Sequence, residues 1–254
     1  VGAALSPYIM SYALIGGYGW QSGYGFVGVI QIILTAILFI SLPLWGKNNR
    51  KGDGGDLISE PLTILQALKI KGVKFVVFTF FAYCALESTT GLWASTYLVS
   101  FRGVDTETAA KFASLFFLGI TFGRFLSGFV AERIGDKLLI RYGVIIIMLG
   151  IVMVGIPIKD NTLSLLGLII IGFGCAPVYP SIIHSTPINF GKSKSQSIIG
   201  IQMASAYIGS TFMPPIFGLI ADKINVGLYP IYLIIFALLM LVTSEVLNRL
   251  LSIK

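Results

Sequence analysis

The chain has 254 residues, of which 56% are hydrophobic and only 11% charged, with a mean hydropathy of +0.88. Ordinary soluble proteins carry about 25% charged residues, so this chain cannot coat a soluble domain; a soluble enzyme or a nucleic-acid binder is excluded. The net charge of +7 and pI near 9.4 are then read as basic loops flanking membrane spans.

The text is apolar from Val1, with neither a charged n-region nor a cleavage site. This predicts a fragment that begins inside a helix rather than a signal peptide. Residues 1–46 carry no charge, and the Gly-rich stretch Gly16–Gly25 divides them into a truncated helix ending near Ile15 and a full span near Tyr24–Trp45. A basic, polar segment follows to Lys74. Within it, Ser59-Glu60-Pro61 reads as a helix start, and Leu62, Leu65 and Leu68 fit a short interfacial helix. Further spans are predicted near Phe75–Val99, Thr108–Ala131, Leu138–Pro157, Leu163–Pro187, Ser197–Ala221 and Val226–Leu247. Cys84 and Cys175 both lie in apolar runs and read as small packing residues.

If the long basic loop is cytoplasmic, 13 Lys and Arg fall on that side and 4 on the other, with Arg124 inside a span. The positive-inside asymmetry predicts a cytoplasmic C-terminus. An internal repeat also appears. At an offset of 90 residues, Gly119–Ile134 aligns with Gly209–Ile224, with six of 16 positions identical and the pairs Glu132/Asp222 and Arg133/Lys223 keeping their charge. The offset is three spans, so the copies have opposite orientation, the pattern of a secondary-transporter half.

Gly128-Phe-Val-Ala-Glu132-Arg133-Ile-Gly135-Asp-Lys137 resembles the G-x-x-x-D-R-x-G-R-R loop signature of the major facilitator superfamily, with Glu for Asp and Asp136 interrupting the basic pair. Gly2–Pro7 resembles the small-residue and Pro pattern of that family's fifth helix. Tyr83–Trp93 and Gly172–Pro180 resemble the seventh and tenth helices of fucose permease-like sugar:proton symporters. The resemblance implies an all-α membrane protein holding the end of helix 5 and helices 6–12. Its expected domains are residues 1–45 as the end of the first bundle, 46–74 as a cytoplasmic linker, and 75–254 as a six-helix second bundle. It further implies a multi-pass cell-membrane carrier that moves a small polar solute, of the fucose or hexose type, with protons. The first half of such a carrier would be its missing partner.

Several polar residues inside the spans are candidates for that work. An ionised acid at mid-membrane costs about 2.5–3.5 kcal/mol, so Glu87 should face a cavity or a partner, and it suits proton exchange. Tyr83, Thr90, Gly91 and Ala94 share its helix face, which offers a sugar an aromatic ring beside an acceptor. Arg124, about 12 Å from its helix end, reads as a gate or interhelix tether in preference to a substrate contact. Gly128, Glu132, Arg133 and Gly135 form the gating turn. Pro177 and Pro180 break or bend the uncharged stretch Asn161–Gly191 and carry Tyr179 toward the cavity. His184 reads either as a proton carrier or as a residue bonding a helix end. Gln202, Ser205 and Gly209 form a stripe that lines the cavity or packs helices; Gln202 is the preferred sugar ligand, flanked by Tyr207. Trp93 stacks on a sugar or joins an aromatic belt. One His and two scattered Cys predict no metal site, and no cofactor or catalytic constellation is visible. A drug or metabolite exporter is the alternative within transporters, and a seven-span receptor or sensor the alternative outside them.

Overall fold

A computed structural model describes residues 9, 12, 13, 16–45, 62–158 and 161–252. The Gly2–Pro7 pattern, the basic residues Lys47, Arg50 and Lys51, the expected helix start Ser59–Pro61, and Lys159 and Lys254 lie outside them. The chain divides into two compact units, Val1–Ile58 and Ser59–Lys254. The first contains helix α1 (Gly19–Trp45), apolar along its length. Everything below concerns the second.

This unit opens with the short helix α2 (Ile64–Lys69). Its start is set by a capping box: the Thr63 side chain accepts from Gln66 N–H while the Gln66 side chain accepts from Thr63 N–H at 2.9 Å. Six long helices follow: α3 (Val73–Ser100), α4 (Thr106–Ile134), α5 (Asp136–Gly155), α6 (Thr162–Phe190), α7 (Lys192–Ile220) and α8 (Tyr229–Ser252). At 20 to 29 residues each they are long enough to cross a bilayer, which takes about 20. They match the six spans expected there, with ends shifted by a few residues.

The turns follow from local chemistry. Asp105 caps α4 by accepting the Thr108 N–H at 2.9 Å, which holds its carboxyl below the usual value. A single residue, Gly135, separates α4 from α5 at φ 79°, and Gly191 separates α6 from α7 at φ 88°. A side chain is strained at that left-handed φ, so glycine lets each helix end and the next begin without a loop. Between α7 and α8 the backbone becomes extended at Asn225, whose side chain takes the Gly227 N–H.

The three-helix repeat is visible in the packing. The first copy is α3–α5 and the second α6–α8. A Cβ on Gly119 of α4 would stand 2.7 Å from the Ile169 carbonyl oxygen and 3.2 Å from the Phe173 nitrogen of α6. A Cβ on Gly209 of α7 would stand 2.6 Å from the Phe81 carbonyl oxygen and 3.2 Å from the Ala85 nitrogen of α3. The equivalent glycines thus each press on an i, i+4 backbone pair of a helix in the other copy. The copies interleave: α3 packs on α7 and α8, and α6 packs on α4 and α5. Within lipid, where apolar transfer gives helices little reason to associate, such backbone-close contacts supply dispersion energy.

Polar contacts join the helix ends. The Val154 carbonyl at the end of α5 accepts from Arg102 Nη2 (2.7 Å), Tyr97 Oη (3.1 Å) and Ser164 Oγ (3.3 Å). Arg102 also donates to the Ile156 carbonyl. The three donors come from the end of α3, the loop beyond it and the start of α6. Toward the opposite end, Arg141 of α5 forms a two-pronged pair with Glu245 of α8, both contacts at 2.6 Å.

One expectation is corrected. Pro177, Pro180 and Pro187 do not break α6, which is helical from Thr162 to Phe190. A proline removes one N–H and frees the carbonyl four residues earlier, but α6 is packed against α4 and α5, and neighbouring helices make such interruptions tolerable in a membrane.

Candidate functional site

The central helix α3 presents Glu87 to α4. Its Oε1 lies 3.8 Å from Arg124 Nη2, with the two side chains 24% and 47% exposed. The guanidinium carbon of Arg124 sits 5.9 Å from the centroid of the Tyr179 ring on α6, within reach of a cation–π attraction. That ring also packs on Phe80 (4.9 Å) and on the edge of Tyr83 (6.1 Å), and its hydroxyl points to the Met203 sulfur at 3.5 Å. Three helices therefore bring an acid, a base and an aromatic alcohol together, although the residues lie far apart in the chain.

The other sequence candidates divide into those that support this cluster and those that serve packing. Tyr83 is buried and donates its hydroxyl to the Cys175 carbonyl at 3.1 Å, tying α3 to α6 directly behind Glu87. Thr90 is buried; its hydroxyl donates to the Leu86 carbonyl, and its own carbonyl accepts from Tyr229. Gln202 is buried too: its amide donates to Thr186 Oγ1 at 3.0 Å, and Thr186 donates onward to the Ile182 carbonyl. Ser205 lies 3.2 Å from the Val77 carbonyl, and Gly209 presses on Phe81. The stripe Gln202–Ser205–Gly209 thus packs α7 onto α3 and α6. Tyr207 is 70% exposed on another face of α7. Hence Glu87, Tyr83 and Tyr179 lie near one another, Gln202 bonds elsewhere, and none of the four lines the cavity that Arg124 borders. Trp93 donates to the Pro214 carbonyl at 3.0 Å, packs on Phe217 and lines a second cavity of about 300 Å³ with Leu92, Thr96, Pro214 and Pro215.

A cavity of about 680 Å³ opens between α4, the start of α5 and the second half of α6, inside the 300–1,000 Å³ typical of small-molecule sites. Arg124 stands at the end farthest from the α4–α5 turn. Ser127, Gly128 and Glu132 continue the α4 wall, while Pro180, Ser181 and His184 form the α6 wall. A Cβ on Gly128 would meet nothing within 4 Å, so this glycine keeps the wall open rather than packing closely. At the turn, His184 Nδ1 lies 2.8 Å from Asp136 Oδ2 in the first turn of α5, an arrangement that matches the helix-end reading of this histidine. Glu132 and Arg133 are exposed and form no ion pair among the described residues. The described residues include no group of His, Cys, Asp and Glu able to hold a metal.

Sequence reasoning did not pair Arg124 with Glu87, nor Arg141 with Glu245, and it gave Arg102 no role. The depth of both charges was a usable signal for the first pair. The other contacts depend on which helices neighbour one another, which spacing along the chain does not reveal.

The family model of the Major Facilitator Superfamily matches residues 1–214 and 113–250. The chain belongs to the major facilitator superfamily. It is 23% identical over 245 residues to the probable nitrate/nitrite antiporter NarK1 of Thermus thermophilus, covering 85% of this chain and 52% of that protein. It is similar in fold to a crystal structure of the E. coli fucose:proton symporter FucP, with a TM-score of 0.69 at 16% identity, covering 94% of this chain and 59% of that one. A structure of FucP in the outward conformation gives a TM-score of 0.70 at 14% identity, covering 94% and 58%. The chain therefore spans about half the length of the curated relative it matches. The chain has the multi-span helical fold of part of a member of this superfamily.

Proposed function

We propose that this chain forms part of a secondary active transporter that moves a small polar solute of the fucose or hexose type together with protons, by alternating access. The observation that carries this reading is the Glu87–Arg124 pair beside Tyr179: two charges placed deep in membrane-spanning helices and left partly open. Charges at that depth mark solute or proton pathways, and among the described residues the Tyr179 hydroxyl has only a thioether partner, leaving it able to bond a sugar hydroxyl. The fold neighbours named as fucose:proton symporters support the same reading. The excess of Lys and Arg in the loops on one side supports a cytoplasmic α4–α5 turn and C-terminus. Residues 1–45 supply the end of a first bundle, 46–74 a linker and 75–254 the second bundle.

The test is uptake of radiolabelled sugar by the intact transporter in vesicles, with and without an imposed pH gradient. Glu87→Gln keeps shape and polarity and removes the titrating group. Its uptake should lose dependence on the pH gradient while exchange of labelled for unlabelled solute persists. Unaltered gradient-driven uptake by this variant would end the assignment of the proton to Glu87. The named antiporter relative favours a second reading, exchange of nitrate and nitrite; nitrate uptake stimulated by internal nitrite, with no sugar uptake, would promote it.

A further inference from the structure

The charge balance of the Glu87–Arg124 pair bears on the kind of solute. The 3.8 Å separation is about 1 Å longer than a charge-assisted hydrogen bond, which is about 2.7–2.9 Å. The two groups attract each other but are not locked together. Among the described residues, no hydrogen bond holds the Arg124 guanidinium; its neighbours are this carboxylate and the face of Tyr179. Arginine presents a planar fork that matches a carboxylate with two parallel bonds, and here the fork is half-exposed at the end of a cavity able to hold a small molecule.

With Glu87 ionised and Arg124 protonated, the pair is neutral. If a neutral sugar arrives with a proton that goes to Glu87, the site holds one uncompensated positive charge. If the solute brings its own carboxylate, the sum stays zero: the proton bonds to a Glu87 oxygen, Arg124 passes from Glu87 to the solute carboxylate, and release of both on the other side restores the original pair. Uncompensated charge inside the membrane is expensive, so the second cycle is favoured.

On the proton-coupled sugar reading above, we propose that Arg124 is a solute-contact residue and that the solute is a sugar acid, a polyhydroxylated compound with one carboxylate, moved electroneutrally with one proton. Arg124 binds the carboxylate, Glu87 carries the proton, and the Tyr179 hydroxyl meets a hydroxyl of the solute.

The experiment uses the intact transporter in proteoliposomes with radiolabelled glucuronate and, separately, labelled glucose and fucose. A pH gradient and a potassium–valinomycin potential are imposed independently. The expected result is glucuronate uptake driven by the pH gradient and unchanged by the potential, with neutral sugars accumulated at least tenfold less. Arg124→Gln should lower glucuronate uptake at least tenfold. Glu87→Gln should retain glucuronate exchange and lose gradient-driven accumulation. Because the wild-type substrate panel and the response to potential need no variant, a misfolded Arg124→Gln leaves the proposal testable. Accumulation of a neutral sugar but not of its acid overturns this proposal and leaves the sugar:proton reading standing. Glucuronate uptake that follows the potential also overturns it. Uptake of neither sugar nor acid removes both.

Discussion

Gly143 and Gly174 face each other across the α5–α6 contact, where a Cβ on either would stand 2.7 Å from the carbonyl oxygen of the other. Seven residues away on each helix the pattern recurs: a Cβ on Gly150 would stand 2.8 Å from the Gly167 carbonyl, and one on Gly167 would stand 2.7 Å from that of Gly150. Two glycine pairs, two turns apart on antiparallel helices, let the backbones touch. Gly143→Ala or Gly174→Ala should push the helices apart and cost about 1–3 kcal/mol, the usual penalty of overpacking. Gly128→Ala and Gly200→Ala meet nothing within 4 Å and should hold or raise stability, since alanine is the better helix former by about 1 kcal/mol. Thermal unfolding of the intact transporter in detergent would separate the two groups; equal melting temperatures would show that the close contact carries no energy.

The two tyrosines near Glu87 should behave differently. Tyr83→Phe loses a buried hydrogen bond to the Cys175 carbonyl and should cost about 1 kcal/mol of stability with little change in solute affinity. Tyr179→Phe loses only a contact to sulfur, so stability should hold while affinity falls about 2- to 10-fold, the worth of one ordinary hydrogen bond. Melting curves and equilibrium binding on the same preparations check both, and the reverse pattern would exchange their roles.

Gln202 should act on stability alone. Gln202→Leu removes the donor to Thr186, yet Thr186 keeps its own acceptor at Ile182, so the loss should be near 1 kcal/mol. Binding by the folded fraction should match wild type. A loss of affinity larger than the loss of stability would return Gln202 to the solute site.

The Arg141–Glu245 pair is two-pronged but partly solvated, so removing either partner should lower the melting temperature only slightly, as for other solvated ion pairs. The charge-swapped double variant Arg141→Glu/Glu245→Arg should recover part of the loss. A double-mutant cycle on melting temperatures measures the coupling, and a value of zero would leave the pair as a contact without consequence.

Sidedness can be read directly. Lys137 and Glu107 are both exposed; Glu107 stands in the first turn of α4, and Lys137 in the first turn of α5, just past the other end of α4. A cysteine at position 107 should react with an impermeant thiol reagent added to intact cells, and one at position 137 only in inverted vesicles. The opposite result would reverse the proposed orientation.

The spans, the repeat and the family were legible because each rests on local pattern: hydropathy at span length, a 90-residue self-match, and a loop signature. The depth of Glu87 and Arg124 was legible for the same reason. Their pairing was not, since it depends on α3 and α4 presenting those faces to each other. Gln202 shows the converse. An amide in an apolar helix suits a sugar ligand and an interhelical bond equally well, and only the position of Thr186 on the neighbouring helix distinguishes them. Proline misled in a similar way: Pro177 and Pro180 break an isolated helix, but α6 lies in contact with α4 and α5 and stays helical.

The interleaving of the two repeats bears on how such a bundle is made. A ribosome delivers α3, α4 and α5 before α6, α7 and α8 exist. Yet the glycines of α4 and α5 fit against α6, and Phe81 and Ala85 of α3 receive Gly209 of α7. The first three helices therefore enter the bilayer with their contact faces unmatched and turned to lipid or to the insertion machinery. The tight helix contacts can form only after α6 emerges, and the Arg141–Glu245 pair only after α8. Assembly is necessarily late, and a chain halted after α5 would carry charges and grooves that mark it for quality control.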